Sequence, residues 1–354
     1  MNLQIVRASE LKPKPKDESK LGFGQIFTDH MFTMQYKEGK GWYDAQIRPF
    51  ENFSLSPACT VLHYSQTIFE GLKAYHTDAG TNLFRPWDNL KRMNVTAQRM
   101  CMPEIDEDFV LECLTELIGI DADWIPKAAG TSLYIRPTMM AVDPFLGVKS
   151  GSEFMFYIIL SPVGAYYASG LAPVNIYVED EYVRAVVGGT GFVKTGGNYA
   201  ASLLAGEIAH KKGFSQVLWL DGKEHKYVEE VGSMNIFFKI RGELLTAPLS
   251  GSILAGITRD SVIKLARDMF EVGVREERIS ISEVFEENAS GGLEEVFGTG
   301  TAAVISPVGG MTWEEQSIVI AKGEMGELTG KLYGQLTGMQ YGQKNDDFGW
   351  IKTL

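Results

Sequence analysis

The stretch GGTGFVKTGGNYAASLLAGEIAHKKG, Gly188 to Gly213, decides which fold classes stay open to this chain. Its opening, GGTGFVKT, resembles a phosphate-binding loop ending in Lys-Thr. Such a loop needs glycine directly before its lysine so that the backbone can wrap the phosphate, and Val193 holds that place. The phosphate-loop reading fails. What remains is Lys194 among Gly191, Thr195, Gly196 and Gly197, between a β-like segment (Tyr182 to Val187) and a helix over Asn198 to His210. Small neighbours let backbone or ligand approach closely. A lysine whose pKa is lowered by its surroundings can act as an imine-forming nucleophile and proton shuttle; read alone, a solvated loop lysine is the ordinary alternative. The helix periodicity turns Ala200, Leu203, Leu204 and Ile208 inward, puts Lys211 and Lys212 at the negative end and closes on Gly213.

Downstream, strand candidates crowd together at Gln216 to Leu220, Lys226 to Val231 and Asn235 to Ile240. A helix starts near Thr258 with Val262, Leu265, Ala266 and Met269 on one face. Upstream, one helix follows Pro86, with Asp88 as N-cap and Leu90, Met93, Ala97 and Met100 inward, and another spans Glu107 to Gly119. A β-like run, Phe154 to Leu160, and another from Val174 to Val178 flank VGAYYASGLAP, Val163 to Pro173, whose small residues, glycines and proline suit a connection between lobes. Two lobes are expected, residues 1–163 and 174–354, joined by a linker at 164–173, with Lys194 in the second. Strands and helices alternate without a regular βαβ rhythm, so the fold class is α+β.

Three further segments could carry chemistry. GTGTAA, Gly298 to Ala303, matches a dinucleotide fingerprint but continues as VISPVGG, a β-like run, where the fingerprint needs a helix. GSILAGIT, Gly251 to Thr258, leads into a helix whose first N–H groups, at Ile257 and Thr258, with the Thr258 hydroxyl, form an anion site or an ordinary threonine cap. Glu229 and Glu230 end a β-like run; alternation sends one inward, where it needs a partner such as a protonated pyridine nitrogen, and the other to solvent.

The bulk numbers agree. With 354 residues, 45% hydrophobic and 22% charged, the chain has the length of two cores and a soluble globular profile. A formal net charge of −12 argues against a broad nucleic-acid or anionic-membrane surface. Cys59, Cys101 and Cys113 show no CxxC pairing, so no disulfide framework or metal site is expected and a reducing compartment fits. The first twenty residues read as a flexible lead-in without an apolar signal segment, and no stretch approaches the roughly 20 apolar residues of a membrane span. A cytoplasmic protein is expected.

Taken together, KTGGNY (Lys194 to Tyr199), EVGSMNIF (Glu230 to Phe237), FEGLKAY (Phe69 to Tyr75), LFRPWDNLKRM (Leu83 to Met93), SLYIRPT (Ser132 to Thr138) and FGTGTA (Phe297 to Ala302) resemble the branched-chain aminotransferases, members of the fold-type IV pyridoxal-phosphate enzymes. The likeness runs from FTDHM (Phe27 to Met31) to the C-terminal region. It implies a two-lobed architecture with the active site between lobes, a homodimer, and reversible amino transfer between Leu, Ile or Val and 2-oxoglutarate, giving L-glutamate. It implies Lys194 as the Schiff-base lysine and proton carrier, Glu230 as partner of the pyridine nitrogen, and Tyr199 on the phenolic oxygen. Arg92 would bind the phosphate with Ile257, Thr258 and Thr299. For the substrate it implies an aromatic box of Phe23, Tyr64, Tyr134 and Tyr166, Thr301 and Ala302 on the α-carboxylate, and Arg136 on the second carboxylate of glutamate. Mammalian relatives carry a redox CxxC where this chain has Ala303 and Ser306, so no thiol switch is expected there. The rivals are D-amino-acid aminotransferase and 4-amino-4-deoxychorismate lyase of the same fold type, a non-catalytic pyridoxal-phosphate-binding protein, and, more distantly, a dinucleotide oxidoreductase.

Overall fold

Along the strand Glu153–Val163, Phe154, Phe156, Ile158 and Leu160 are buried and the residues between them only half so, the period-two pattern of a sheet with one packed face. The computed structural model describes residues 1–164 and 171–354. It divides the chain into two units, 1–166 with 194–196 and 338–354, and 167–193 with 197–337.

In the first unit, nine strands among the described residues form one sheet. From one edge they run Gln4–Ile5, Gly41–Pro49, His30–Lys37, Glu153–Val163, Ser132–Ala141, Leu72–Thr77, Gly80–Phe84 and Ile351–Thr353, with Thr67–Phe69 added beside Ser132–Ala141. All pairs are antiparallel except the first. Helices Pro86–Arg99 and Glu107–Ile120 cover one face. Their Leu90, Met93, Ala97, Leu114 and Leu117 join the strands' Phe32, Ile135 and Phe156 in one core. Truncating any such leucine to alanine costs about 2–5 kcal/mol.

The second unit also has a sheet of nine strands among the described residues. Val228–Val231, Gln216–Leu220, Val174–Glu179, Val304–Trp313, Leu293–Gly300 and Met234–Ile240 follow one another, and the last pairs back onto the first, so these six close into a barrel. Glu243–Thr246 and Val274–Glu276 extend one side and Gln316–Val319 pairs with Val304–Trp313. Ile176, Val178, Leu218, Leu220, Ile236 and Phe238 share one cluster; Val217 and Trp219 bury on the opposite face against Ala205 and Ala209. A sheet covered on both faces leaves no solvent-facing half to its alternation.

Several expectations are corrected. Residues 338–354 belong with the first unit, not the second: Ile351↔Phe84 and Thr353↔Asn82 extend its sheet, and the Tyr341 ring meets Tyr75 edge-on at 5.0 Å. Lys194 also lies in the first unit, because the Thr195 hydroxyl donates to Thr67 O at 2.7 Å and Phe69 N–H to Lys194 O at 3.0 Å. Tyr182 to Val187 is no strand; the N–H groups of Glu181 and Tyr182 are taken by the Glu179 carboxylate instead of a ladder. The helix over Asn198 to His210 is two pieces, Gly196–Ala200 and Leu203–Lys211. The break shifts the phase, so Ala205 and Ala209 bury while Leu203 and Leu204 stay 66% and 56% exposed. Arg85, in the left-handed region at φ 49°, is the N-cap before Pro86, and Asp88 accepts from its guanidinium at 2.6 Å. The N-terminal lead-in is pinned rather than loose. Gln4 and Ile5 pair with Gln46 and Ile47, Ala8 N–H donates to His30 Nε2 at 2.9 Å, and Lys12 N–H to Asp29 at 2.7 Å.

Candidate active site

In the first unit, two hydrogen bonds fix the backbone of Lys194. Its N–H donates to the Thr96 hydroxyl at 3.3 Å, its carbonyl accepts from Phe69, and its Nζ stands 4.7 Å from the centre of the Phe69 ring. Beside it lies Glu70, fully buried. The Arg92 fork meets it with Nε on Oε1 at 2.8 Å and Nη2 on Oε2 at 2.9 Å, and Asn89 adds a third donor at 2.8 Å. Burial pushes the Glu70 carboxyl up, but Arg92 and then the nearby Lys194 charge outweigh it and hold it below its ordinary value. One edge of the guanidinium expected to take a phosphate is thus occupied by an internal carboxylate.

The strand Ser132–Ala141 places Tyr134 and Arg136 on one face, and Arg136 Nη2 donates to the Tyr134 hydroxyl at 2.9 Å. The Phe23 ring meets Tyr134 edge-on at 4.9 Å, and the guanidinium lies 4.6 Å from the Phe69 centroid. Arg136 Nε is buried with no hydrogen-bond partner among the described residues. Gly71 makes room: a Cβ there would stand 2.2 Å from the Tyr134 hydroxyl oxygen. Phe23, Phe69, Tyr134 and Arg136 therefore come together as an aromatic wall holding one cation. Tyr64 is 42% exposed and its hydroxyl donates to the Leu146 carbonyl rather than to that wall. Tyr166 lies outside the described residues.

In the second unit, register supplies the geometry. Glu230, Asn235 and Thr299 stand opposite one another on three neighbouring strands, in one row across the barrel. Asn235 Nδ2 donates to Glu230 Oε1 at 3.0 Å, and Arg184 Nη2 reaches Glu230 Oε2 at 2.6 Å. Glu230 and Tyr199 line one small recess together with Arg184. The Thr299 hydroxyl, in a residue 1% exposed, has no partner among the described residues, which a buried polar atom rarely tolerates. Asn235 presses on Gly256, where a Cβ would come within 2.0 Å of Oδ1. Gly256 is the N-cap of the helix Ile257–Asp268, so the expected threonine cap is corrected and Thr258 is the second residue inside the positive helix end. Thr301 and Ala302 form the hairpin turn between Leu293–Gly300 and Val304–Trp313, so a strand and no helix follows GTGTAA.

Both glutamates are inward, against the expected alternation: Glu229 is 7% and Glu230 4% exposed, because both faces of their strand are covered. Arg184, Asn235 and Glu70 escape the sequence reading. An arginine inside the apolar run YVRAVV and the Asn of EVGSMN are the available signals. Lys73 also escapes it; the lysine of FEGLKAY is 7% exposed, and burial pushes its pKa down to about 8. Among the described residues no His/Cys/Asp/Glu group could hold a metal ion, and no helix is long and apolar enough to cross a membrane.

Known proteins with this architecture carry informative names. Branched-chain-amino-acid aminotransferase 2 of Bacillus subtilis (strain 168) is 56% identical over 353 residues, covering 99% of this chain and 97% of its own. Branched-chain-amino-acid transaminase 1 of the same strain is 55% identical, with 99% of each chain covered. The crystal structure of the Escherichia coli branched-chain amino acid aminotransferase superposes with a TM-score of 0.75 at 28% identity, over 90% of this chain and 98% of that one. A second branched-chain amino acid aminotransferase, crystallised with pyridoxamine 5'-phosphate, gives 0.74 at 27% identity over the same shares. Residues 67–310 match the amino-transferase class IV family, and the chain belongs to that family, in its branched-chain-amino-acid aminotransferase branch.

Proposed function

We propose that this protein transfers amino groups between branched-chain L-amino acids and 2-oxoglutarate, with pyridoxal 5'-phosphate as its cofactor. The observation that carries the substrate reading is Arg136 within the wall of Phe23, Phe69 and Tyr134. Aromatic faces bury an aliphatic side chain at about 0.8 kcal/mol per CH₂. A guanidinium in the same wall, with a buried Nε lacking a partner among the described residues, can instead receive the second carboxylate of glutamate. One pocket thereby serves both substrates.

The cofactor assignment is supported by fit. The orphaned Thr299 hydroxyl, in a row with Glu230, offers a donor where a phosphate needs one, and the helix Ile257–Asp268 adds a positive end. Thr299, Ile257, Thr258 and Arg92 would hold the phosphate, Tyr199 the phenolic oxygen and Glu230 the ring nitrogen. When bound, the group supplies an electron sink for loss of the substrate α-proton. Glu230, paired with Arg184 and accepting from Asn235, would hold a proton on that nitrogen. Lys194 Nζ would bind the cofactor aldehyde and then carry the α-proton, and Thr301 and Ala302 would orient the substrate carboxylate. The exposed Leu203 and Leu204 support a homodimer, since paired leucines on a surface favour coverage, and three free cysteines suit a reducing cytoplasm.

Titration of the purified, cofactor-loaded protein tests this reading. L-leucine is expected to bleach a yellow absorbance and 2-oxoglutarate to restore it. Bleaching by D-alanine alone would move the activity to D-amino acids. Lys194→Ala is expected to abolish turnover while leaving cofactor retained.

A further inference from the structure

A cavity of about 440 Å³ in the second unit is lined in part by Val228 and Glu229 of the strand Val228–Val231. The proposed function gives it no role. Glu229, 7% exposed, is the carboxylate of interest in its lining. The Ser252 hydroxyl donates to Glu229 Oε1, while Oε2 is buried without a hydrogen-bond partner among the described residues. Burial, the largest influence, pushes this carboxyl above its ordinary value.

Part of the lining is apolar, formed by Val186, Val187, Val228, Ala247, Pro248 and Ile253, beside the polar Lys223 and Ser250. The apolar part is also fixed in place. A Cβ on Gly191 would stand 2.2 Å from Ser252 O, and one on Gly222 2.5 Å from Val186 Cγ1, so two glycines let the wall segment press against its neighbours. At the mouth, Arg278 lies flat on Tyr227, its guanidinium carbon 3.5 Å from the ring centroid. Its carboxylate contacts are long, 3.4 Å to Glu224 and 3.5 Å to Asp221. Asp221 is committed elsewhere, accepting from the N–H groups of Lys223, Glu224, Lys226 and Tyr227.

We propose that this cavity is a second small-molecule site, separate from the residues assigned to amino transfer, and that it takes an α-amino acid with an aliphatic side chain. The ammonium would donate to Glu229 Oε2, the carboxylate would meet Arg278, and the side chain would lie on Val186, Val187 and Ile253. A fatty acid would set its carboxylate against Glu229, and a plain amine would leave Arg278 unanswered; a zwitterion answers both ends. The site also touches the Glu230 arm. Ser252, whose hydroxyl donates to Glu229, accepts at its carbonyl from Arg184 Nη2 at 2.6 Å, and the same nitrogen pairs with Glu230.

Equilibrium dialysis of labelled L-leucine against the wild-type protein saturated with pyridoxamine 5'-phosphate tests the proposal, because leucine has no amino acceptor in that form. The expected result is one leucine per chain that is lost in Val187→Trp, which fills the cavity from a position 70% exposed. That same leucine binds about tenfold more weakly in Arg278→Ala. Leucine binding that neither substitution alters would overturn the proposal, as would no binding at about 10 mM, roughly a weak-ligand limit. Isoamylamine displacing that leucine at equal concentration would overturn the amino-acid class. If amino transfer itself were misassigned, the leucine bleaching above would fail while this cavity-dependent binding persisted, so the two failures are distinguishable.

Discussion

Each unit buries one glutamate against one arginine, and the two pairs are built for opposite ends. Glu70 in the first unit meets the Arg92 fork on both oxygens, with Asn89 Nδ2 and the Gly71 N–H adding to it. Its acceptor capacity is spent inside the protein. Glu230 in the second unit takes a tight contact from Arg184, an amide donor from Asn235 and a long one from Leu254 N–H at 3.3 Å, and it lines a recess. The difference teaches how to tell a buried glutamate that only positions its arginine from one that acts itself: saturation by internal donors marks the first, a place in the lining of a recess the second.

Removing a partner should separate them most sharply. Glu70→Ala leaves Arg92 buried beside an empty space and is expected to cost about 3–5 kcal/mol, read by urea unfolding; a loss below about 1 kcal/mol would break the distinction. Glu230→Gln keeps the shape and should leave unfolding nearly unchanged while slowing transamination about 100-fold, near 2.7 kcal/mol of barrier. An unchanged rate would remove Glu230 from the chemistry. Gly71→Ala forces a methyl group onto the Tyr134 hydroxyl and is expected to cost about 1–3 kcal/mol, with KM for 2-oxoglutarate rising more than KM for leucine because Arg136 rests on that hydroxyl. Equal rises would dissociate Arg136 from carboxylate selection. Smallest is Thr299→Val. Removing a buried hydroxyl that lacks a partner among the described residues should leave the apo-protein as stable or more so, yet weaken cofactor retention by about tenfold, the loss of one net hydrogen bond. Dialysis against buffer, followed by residual absorbance, reads this directly.

What the sequence discloses follows from what is local. KTGGNY, EVGSMN and SLYIRPT each concentrate their residues in a few adjacent positions, and the row formed by Glu230 and Thr299 assembles by strand register. The helices Pro86–Arg99 and Glu107–Ile120 are legible because their apolar periodicity is uninterrupted. Arg184 is not. Its partner Glu230 is distant in sequence, and no short-range pattern marks an arginine that will turn inward. Glu70 is hidden for the same reason, since only the fold brings the Pro86–Arg99 helix over the FEGLKAY segment. The broken helix after Lys194 and the C-terminal strand Ile351–Thr353 defy the sequence reading because tertiary pairing overrides a local preference.

The closed barrel has a consequence in time rather than in energy. Four of its six seams join strands that are consecutive in the chain, but Val174–Glu179 must find Val304–Trp313 in parallel, with most of the unit's sequence between them. Contacts so remote are slow to form, because the chain must be confined before they reward it. That seam is therefore expected to govern the refolding rate of the second unit. Substitutions at Val308 that weaken it should slow refolding in stopped-flow measurements, and a change confined to the unfolding rate would locate the slow step elsewhere.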